Sequence, residues 1–343
     1  MSIQTPPRVV VADDSAMMRQ IVSSSLSRAG VQIVGSASNG DEALVACDRE
    51  KPDALMLDLS MPGLDGIGVL RALRRQGRSD MPVIVVSAFS PSQGARAVDA
   101  LAEGAFDLVA KPAVGESLDE FAAALIEKVK AATGGRVGRI TGRPVPRQPV
   151  RRPVRSSVAR AVLIATSTGG PKALAALVPN LPGRLGMGTL IVQHMPPGFT
   201  KSLAARLDNA SPLNVREADG GELLDPGVAL LAPGGKHMRV GLGGRVSLTD
   251  EPEIGALRPR ADLMIADAAK VFGERTLLVV MTGMGNDGLA GAAEVRRRGG
   301  RILVEAQSTC TVYGMPRAVE EAKLADEVLP LPELAEAIAE EAA

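Results

Sequence analysis

The feature that most restricts the fold is a rhythm. Short apolar runs recur along the chain, with amphipathic, helix-forming segments between them. In the N-terminal part the runs are RVVVA (8–12), VQIVGSA (31–37), DALMLDL (53–59), MPVIVVSA (81–88) and FDLVA (106–110). Segments such as AMMRQIVSSSLSRAG and GIGVLRALRRQG separate them. Strands that are apolar on both faces belong in a parallel sheet covered on each side by helices. This predicts an α/β protein that begins with a doubly wound five-stranded parallel sheet. A closing helix over LDEFAAALIEKVKAA places Leu118, Phe121, Ala122, Leu125, Ile126 and Val129 on one stripe. From Ala161 the alternation resumes with AVLIAT, GTLIVQ, GVALLAP, MRVGL, RVSLT, TLLVVMT and GRILVEA. A second doubly wound α/β domain is expected, with a small antiparallel hairpin near 228–249.

Between the two halves lies TGGRVGRITGRPVPRQPVRRPVRSSVAR, rich in Gly, Pro and Arg and without an acid. Such a stretch cannot bury a core and reads as a linker. The expected organisation is a domain over 1–132, a linker over 133–157 and a domain over 158–343. Aromatic residues make up only 2% and Trp is absent, so the cores must be aliphatic and platforms for stacking bases are scarce. Lys+Arg and Asp+Glu balance at 39 each, which argues against a nucleic-acid partner. Cys47 and Cys310 form neither a disulfide framework nor a metal quartet. The start, MSIQTPPRVVVADD, lacks the pattern of a signal peptide, and no apolar run approaches the roughly 20 residues that span a bilayer. The expectation is a cytoplasmic protein without membrane insertion.

The first half carries charge at its strand ends. Asp13 and Asp14 follow the first predicted strand and Asp58 ends the third. Ser87 ends the fourth and Lys111 follows the fifth. Ligands of doubly wound sheets bind outside the carboxyl ends of the strands, so these residues should converge. Clustered carboxylates repel unless a cation offsets them, and hard oxygen ligands suit Mg²⁺ at Asp13, Asp14 and Asp58. A carboxylate beside a lysine can accept a phosphoryl group, which makes Asp58 the candidate acceptor. The plainer reading is that each carboxylate caps a following helix. The phrases VADDSAMMR, LMLDLSMPGLDG and ALAEGAFDLVAKP resemble the receiver domain of two-component response regulators, a flavodoxin-like fold. The resemblance implies phosphorylation of Asp58 by a histidine kinase, with Mg²⁺ as cofactor. It further implies Ser87, Phe106 and Lys111 as switch residues and a cis Lys111–Pro112 peptide. Phe106 stands where many relatives have Tyr, so no hydroxyl-dependent switch contact is expected.

In the second half, AVLIATSTGGPKAL passes from a predicted strand through two hydroxyls and two glycines into a helix. Glycine amides at a helix start could cradle a phosphate, although no Gly-Lys-Ser/Thr follows. Alternatively Ser167 is a nucleophile, which at neutral pH needs a histidine and an orienting acid. The chain has two histidines. His194 follows the strand GTLIVQ, and His237 lies in the expected hairpin insert. Asp287 lies in the glycine-rich turn after TLLVVMT, so Ser167, His194 and Asp287 all follow strands of one sheet. Ser167 and Thr168 could instead cap the next helix, and Asp287 could be a turn residue.

IATSTGGP, IVQHMP, LAPGGKHM, MTGMGNDG and VYGMPRAV resemble the catalytic domain of chemotaxis protein-glutamate methylesterases, the CheB family. The resemblance implies hydrolysis of glutamate methyl esters on methyl-accepting chemoreceptors and deamidation of receptor glutamines. Ser167 would be the nucleophile, His194 the base and Asp287 its orienter. The amides of Thr168, Met284 and Gly285 are candidate oxyanion donors, and no metal is expected in this half. The family reads Gly-Ala-Ser where this chain has Ala165-Thr166-Ser167, so the β-branched Thr166 is expected to narrow the site. The receiver is expected to cover the catalytic crevice until Asp58 is phosphorylated. The rival reading is a non-enzymatic regulator whose C-terminal half only binds a partner.

Overall fold

The computed structural model describes residues 5–88, 90–113, 115, 117–134 and 159–343. The N-terminal unit runs β1 (Arg8–Ala12), α1 (Ala16–Arg28), β2 (Gln32–Ala37), α2 (Gly40–Glu50), β3 (Ala54–Leu57), α3 (Gly66–Arg75), β4 (Val83–Ser87), α4 (Pro91–Ala102), β5 (Asp107–Ala110) and α5 (Leu118–Gly134). Its parallel sheet has the order β2-β1-β3-β4-β5, so the topological switch lies between β1 and β3. Polar side chains start these helices by accepting free backbone amides. Ser15 caps α1, Asn39 caps α2, Asp65 caps α3 and Ser90 caps α4. The cap of α1 is therefore Ser15 and not Asp14, which removes the plainer reading of that carboxylate. The expected linker falls almost entirely on residues outside those described; its first two positions, Thr133 and Gly134, close α5.

The C-terminal unit runs β6 (Ala161–Thr166), α6 (Gly170–Leu177), β7 (Gly188–Gln193), α7 (Phe199–Ala210), β8 (Asn214–Glu217), β9 (Val228–Leu231), β10 (His237–Val240), β11 (Val246–Thr249), α8 (Ala261–Phe272), β12 (Thr276–Val280), α9 (Leu289–Arg297), β13 (Arg301–Glu305), α10 (Met315–Glu321), β14 (Glu327–Leu329) and α11 (Leu331–Ala342). Seven parallel strands stand in the order β14-β13-β12-β6-β7-β9-β8, and β10 and β11 form a separate antiparallel pair. Three details differ from the sequence reading. The hairpin is confined to 237–249, because β9 pairs in parallel with β7 and belongs to the main sheet. Strands β8 and β14 were not foreseen. Both are short sheet edges that carry polar residues and so present no continuous apolar run.

β6 is buried along its whole length at the centre of this sheet. The chain winds outward from it in both directions, to β7 and to β12, which makes its C-terminal end the switch point. Helix α4 of the first unit packs on α6 and α7 of the second, and Arg206 of α7 pairs with Asp99 of α4. No helix among the described residues is long and apolar enough to cross a membrane. Leu163, fully buried in β6, should cost about 2–5 kcal/mol when cut to Ala, read as a lowered urea midpoint with an unchanged m-value.

Candidate functional site

At the switch point of the first sheet, Asp13 and Asp58 are buried and Asp14 is exposed, with their carboxylates within 4.8 Å of one another. Lys111 Nζ lies 2.7 Å from Asp13 Oδ2 and 3.0 Å from Asp58 Oδ2. Burial pushes the Asp13 carboxyl up, and Lys111 only partly offsets it. Burial also works against the Lys111 ammonium, but its bonds to Asp13 and Asp58 outweigh burial and raise it. Ser87 is buried at the end of β4, and Phe106 packs partly buried against the apolar cluster around α1 and α5. The Lys111–Pro112 peptide, expected cis, is trans: the cis peptide among the described residues is Arg258–Pro259. Only about 0.5–1 kcal/mol separates the isomers of an X–Pro bond, so local packing decides between them.

At the switch point of the second sheet, Ser167 follows β6, His194 follows β7, and the turn after β12 carries Asp287. His194 Nε2 lies 2.7 Å from Asp287 Oδ2. His194 Nδ1 is buried and without a hydrogen-bond partner. Ser167 is 5% exposed, and its backbone amide is held by Thr282 O at 3.0 Å. No hydrogen bond joins Ser167 Oγ to the imidazole among the described residues. Apo sites commonly tighten that contact only with substrate bound.

Asp287 has no exposed side-chain surface, and five donors converge on it. Oδ2 accepts His194 Nε2 and the Ala261 amide, while Oδ1 accepts the Asp262 and Gly288 amides and pairs with Arg260 Nε at 2.9 Å. Ala261 and Asp262 open α8, so the helix N-terminus faces the carboxylate. Burial pushes the Asp287 carboxyl up, but the bond to His194 and these amides outweigh burial and hold it at about 2. The neighbouring Asp262 is pushed up by burial and by the charge of Asp287. His237 is fully buried and accepts the Arg260 amide at Nδ1, so the hairpin histidine braces the arginine and does not enter the crevice.

Three helices that leave this crevice, α6, α7 and α9, start at glycines in the left-handed region: Gly169 (φ 80°), Gly198 (φ 81°) and Gly288 (φ 93°). None has a side-chain cap, which removes the reading of Ser167 and Thr168 as cap residues. Gly283, in the turn with Met284 and Gly285, lies so near Ser167 that a Cβ there would come 2.8 Å from Ser167 Cβ. Thr166 does not narrow the site as expected. It is fully buried, and its hydroxyl bonds to Gln193 on the neighbouring strand. Four further residues were missed: Gln193, Arg260, Asp262 and Glu305. Glu305, with no exposure, accepts the Thr282 amide at 2.8 Å, and burial raises its carboxyl. A lone acid at the end of an apolar strand was its only signal in the sequence.

The two units meet beside the nucleophile loop. Thr168 Oγ1 donates to Asp107 Oδ2 of β5 at 2.6 Å. Lys128 Nζ of α5 lies 2.8 Å from the same carboxylate and 3.1 Å from the Thr168 hydroxyl.

The folded Asp287 carboxyl titrates at about 2, below its ordinary 3.8, so its ionisation stabilises the fold at every pH above about 4. That contribution, on the order of 2 kcal/mol, fades as pH falls through the folded value. Asp287→Asn should therefore flatten the fall in the denaturation midpoint between about pH 4 and 2. A wild-type slope in the variant would show that the carboxylate is not held by its donors.

The response regulator receiver domain profile matches residues 9–123, and the CheB methylesterase profile matches residues 162–338. A protein-glutamate methylesterase/protein-glutamine glutaminase of Symbiobacterium thermophilum is 42% identical over 353 residues, covering 98% of this chain and 97% of its own. A protein of the same name from Thermotoga maritima is 37% identical, covering 97% of this chain and 98% of its own. The crystal structure of the Thermotoga maritima CheB methylesterase catalytic domain superposes with a TM-score of 0.52 at 43% identity, covering 53% of this chain and 98% of that one. With these matches spanning nearly its full length, the chain belongs to the CheB methylesterase family, with a receiver domain ahead of the hydrolase.

Proposed function

We propose that the protein removes methyl groups from glutamate methyl esters of chemoreceptors, deamidates receptor glutamines at the same site, and is switched by phosphorylation of Asp58. The observation that carries the catalytic part is the 2.7 Å contact of His194 Nε2 with a buried carboxylate, which leaves the buried Nδ1 without a hydrogen-bond partner. With Nε2 donating to Asp287, the base in this reading is Nδ1. Ser167 Oγ attacks the ester carbonyl carbon and gives its proton to Nδ1. The tetrahedral oxyanion collapses, and Nδ1 returns the proton to the departing methoxide, which leaves as methanol. Water then attacks the acyl-enzyme through the same base, releasing the glutamate carboxyl and restoring the serine. A glutamine side chain follows the same course with ammonia as the leaving group. The amide of Thr168, next to Ser167 in the chain, and those of Met284 and Gly285, in the turn whose Gly283 approaches Ser167, would face the oxyanion in this reading.

In the receiver, the net negative charge of Asp13, Asp14 and Asp58 against one lysine suits a hard divalent cation. Mg²⁺ there would offset charge on the phosphoryl oxygens. Asp58 would take the phosphoryl group from a kinase phosphohistidine, with Lys111 as its charge partner. The receiver restrains the hydrolase through Asp107 and Lys128, which hold the hydroxyl of Thr168 next to the nucleophile. β5 carries Lys111 just beyond one end and Asp107 at the other, a direct route from phosphoacceptor to nucleophile loop.

Ser167→Ala should abolish methanol release from methylated receptors, by about 10⁴-fold or more, while Asp58 still takes up phosphate. Fluorophosphonate labelling that persists in this variant would refute the nucleophile. Asp107→Ala should raise the unphosphorylated rate severalfold and shrink the gain on phosphorylation. An unchanged basal rate would rule out this restraint.

A further inference from the structure

We propose that Gln193 is a positioning residue for the reaction: one carboxamide ties the nucleophile loop to the base loop, and Thr166 fixes the direction of that carboxamide. The inference rests on the esterase reading above. Gln193 is the last residue of β7, 1% exposed, and pairs across the sheet with Thr166, the last residue of β6. Its Nε2 donates to Ser167 O and to His194 O, both at 3.0 Å. The group has two N–H donors, and both are spent on these two carbonyls. One belongs to the candidate nucleophile and the other to the candidate base.

Orientation matters because an amide is two-faced. The Thr166 hydroxyl donates to Gln193 Oε1, so the oxygen end is held at Thr166 and the nitrogen end at the two loops. A flipped amide would aim an oxygen at two carbonyl oxygens in a buried place, leaving two acceptors unmet. The surroundings make room for this pair. A Cβ at Gly170 would lie 1.9 Å from both Gln193 Oε1 and Thr166 Oγ1, so only glycine fits over them. The β-branched residue that departs from the family's Gly-Ala-Ser therefore serves as the amide's anchor.

Reaction rates respond steeply to displacement of a nucleophile from its base, reaching about 100-fold for shifts near 1 Å. Gln193→Met preserves length and removes both donors. Methanol release from methylated receptors should show kcat down roughly 10- to 100-fold with KM within about twofold. The fluorophosphonate labelling rate should fall in parallel. Thr166→Val keeps the shape but not the hydroxyl and should lose about three- to tenfold in kcat, whereas Thr166→Ser should recover most of the rate. Thermal denaturation establishes the folded fraction to which each rate is referred. The proposal is overturned if Gln193→Met keeps kcat per folded molecule within twofold, or if its loss appears only in KM. Should that variant not fold, equal rates in Thr166→Val and Thr166→Ser overturn it instead. Wild type and Ser167→Ala run alongside: activity that survives Ser167→Ala refutes the esterase reading itself, separately from the role of Gln193.

Discussion

A carboxylate with no contact to solvent must be satisfied by donors the fold supplies, and Asp287 is the group on which the second unit is organised. Its donors come from separate places: the imidazole after β7, the first amides of α8, its neighbour Gly288 and the guanidinium of Arg260. Arg260 in turn is braced by His237 from the hairpin. The hairpin, the α8 entry and the turn after β12 therefore exist in one mutual geometry. Removing a buried carboxylate's partners costs far more than a surface pair contributes, which is why these parts must assemble together.

Both units place their chemistry at a switch point of a parallel sheet, but with opposite electrostatics. The first gathers three carboxylates around one lysine, a site that invites a cation and a phosphoryl group. The second gathers a hydroxyl, an imidazole and one buried carboxylate satisfied by protein donors, and clears space with glycines. The Asp107–Lys128–Thr168 knot lies between them. It is buried and ionic, so it is sensitive to small movements of β5 and α5 in a way that the exposed Arg206–Asp99 pair is not.

Much of this was legible from residue order. Continuous apolar runs mark central strands such as β6, and acids or hydroxyls after them mark the crevices. Edge strands β8 and β14 were not legible, because a strand buried on one side only has no continuous run. The role of Thr166 was read wrongly. A β-branched neighbour of a nucleophile looks like an obstruction until the register with Gln193 gives its hydroxyl a partner. Arg260, Asp262 and Glu305 carry no motif; each acts on backbone amides or carboxylates that are distant in the chain.

Local order in the chain determined which segments are strands and helices, which residues stand at the strand ends, and hence which side chains could share a crevice. These are properties of near neighbours, governed by period, capping and glycine. Only the tertiary structure decided which imidazole nitrogen meets the acid, which amide ties two loops together, and which receiver residues touch the nucleophile's neighbour. Those outcomes depend on strand register and on packing between units, where angles and distances of a few ångströms choose among partners that the sequence leaves equivalent.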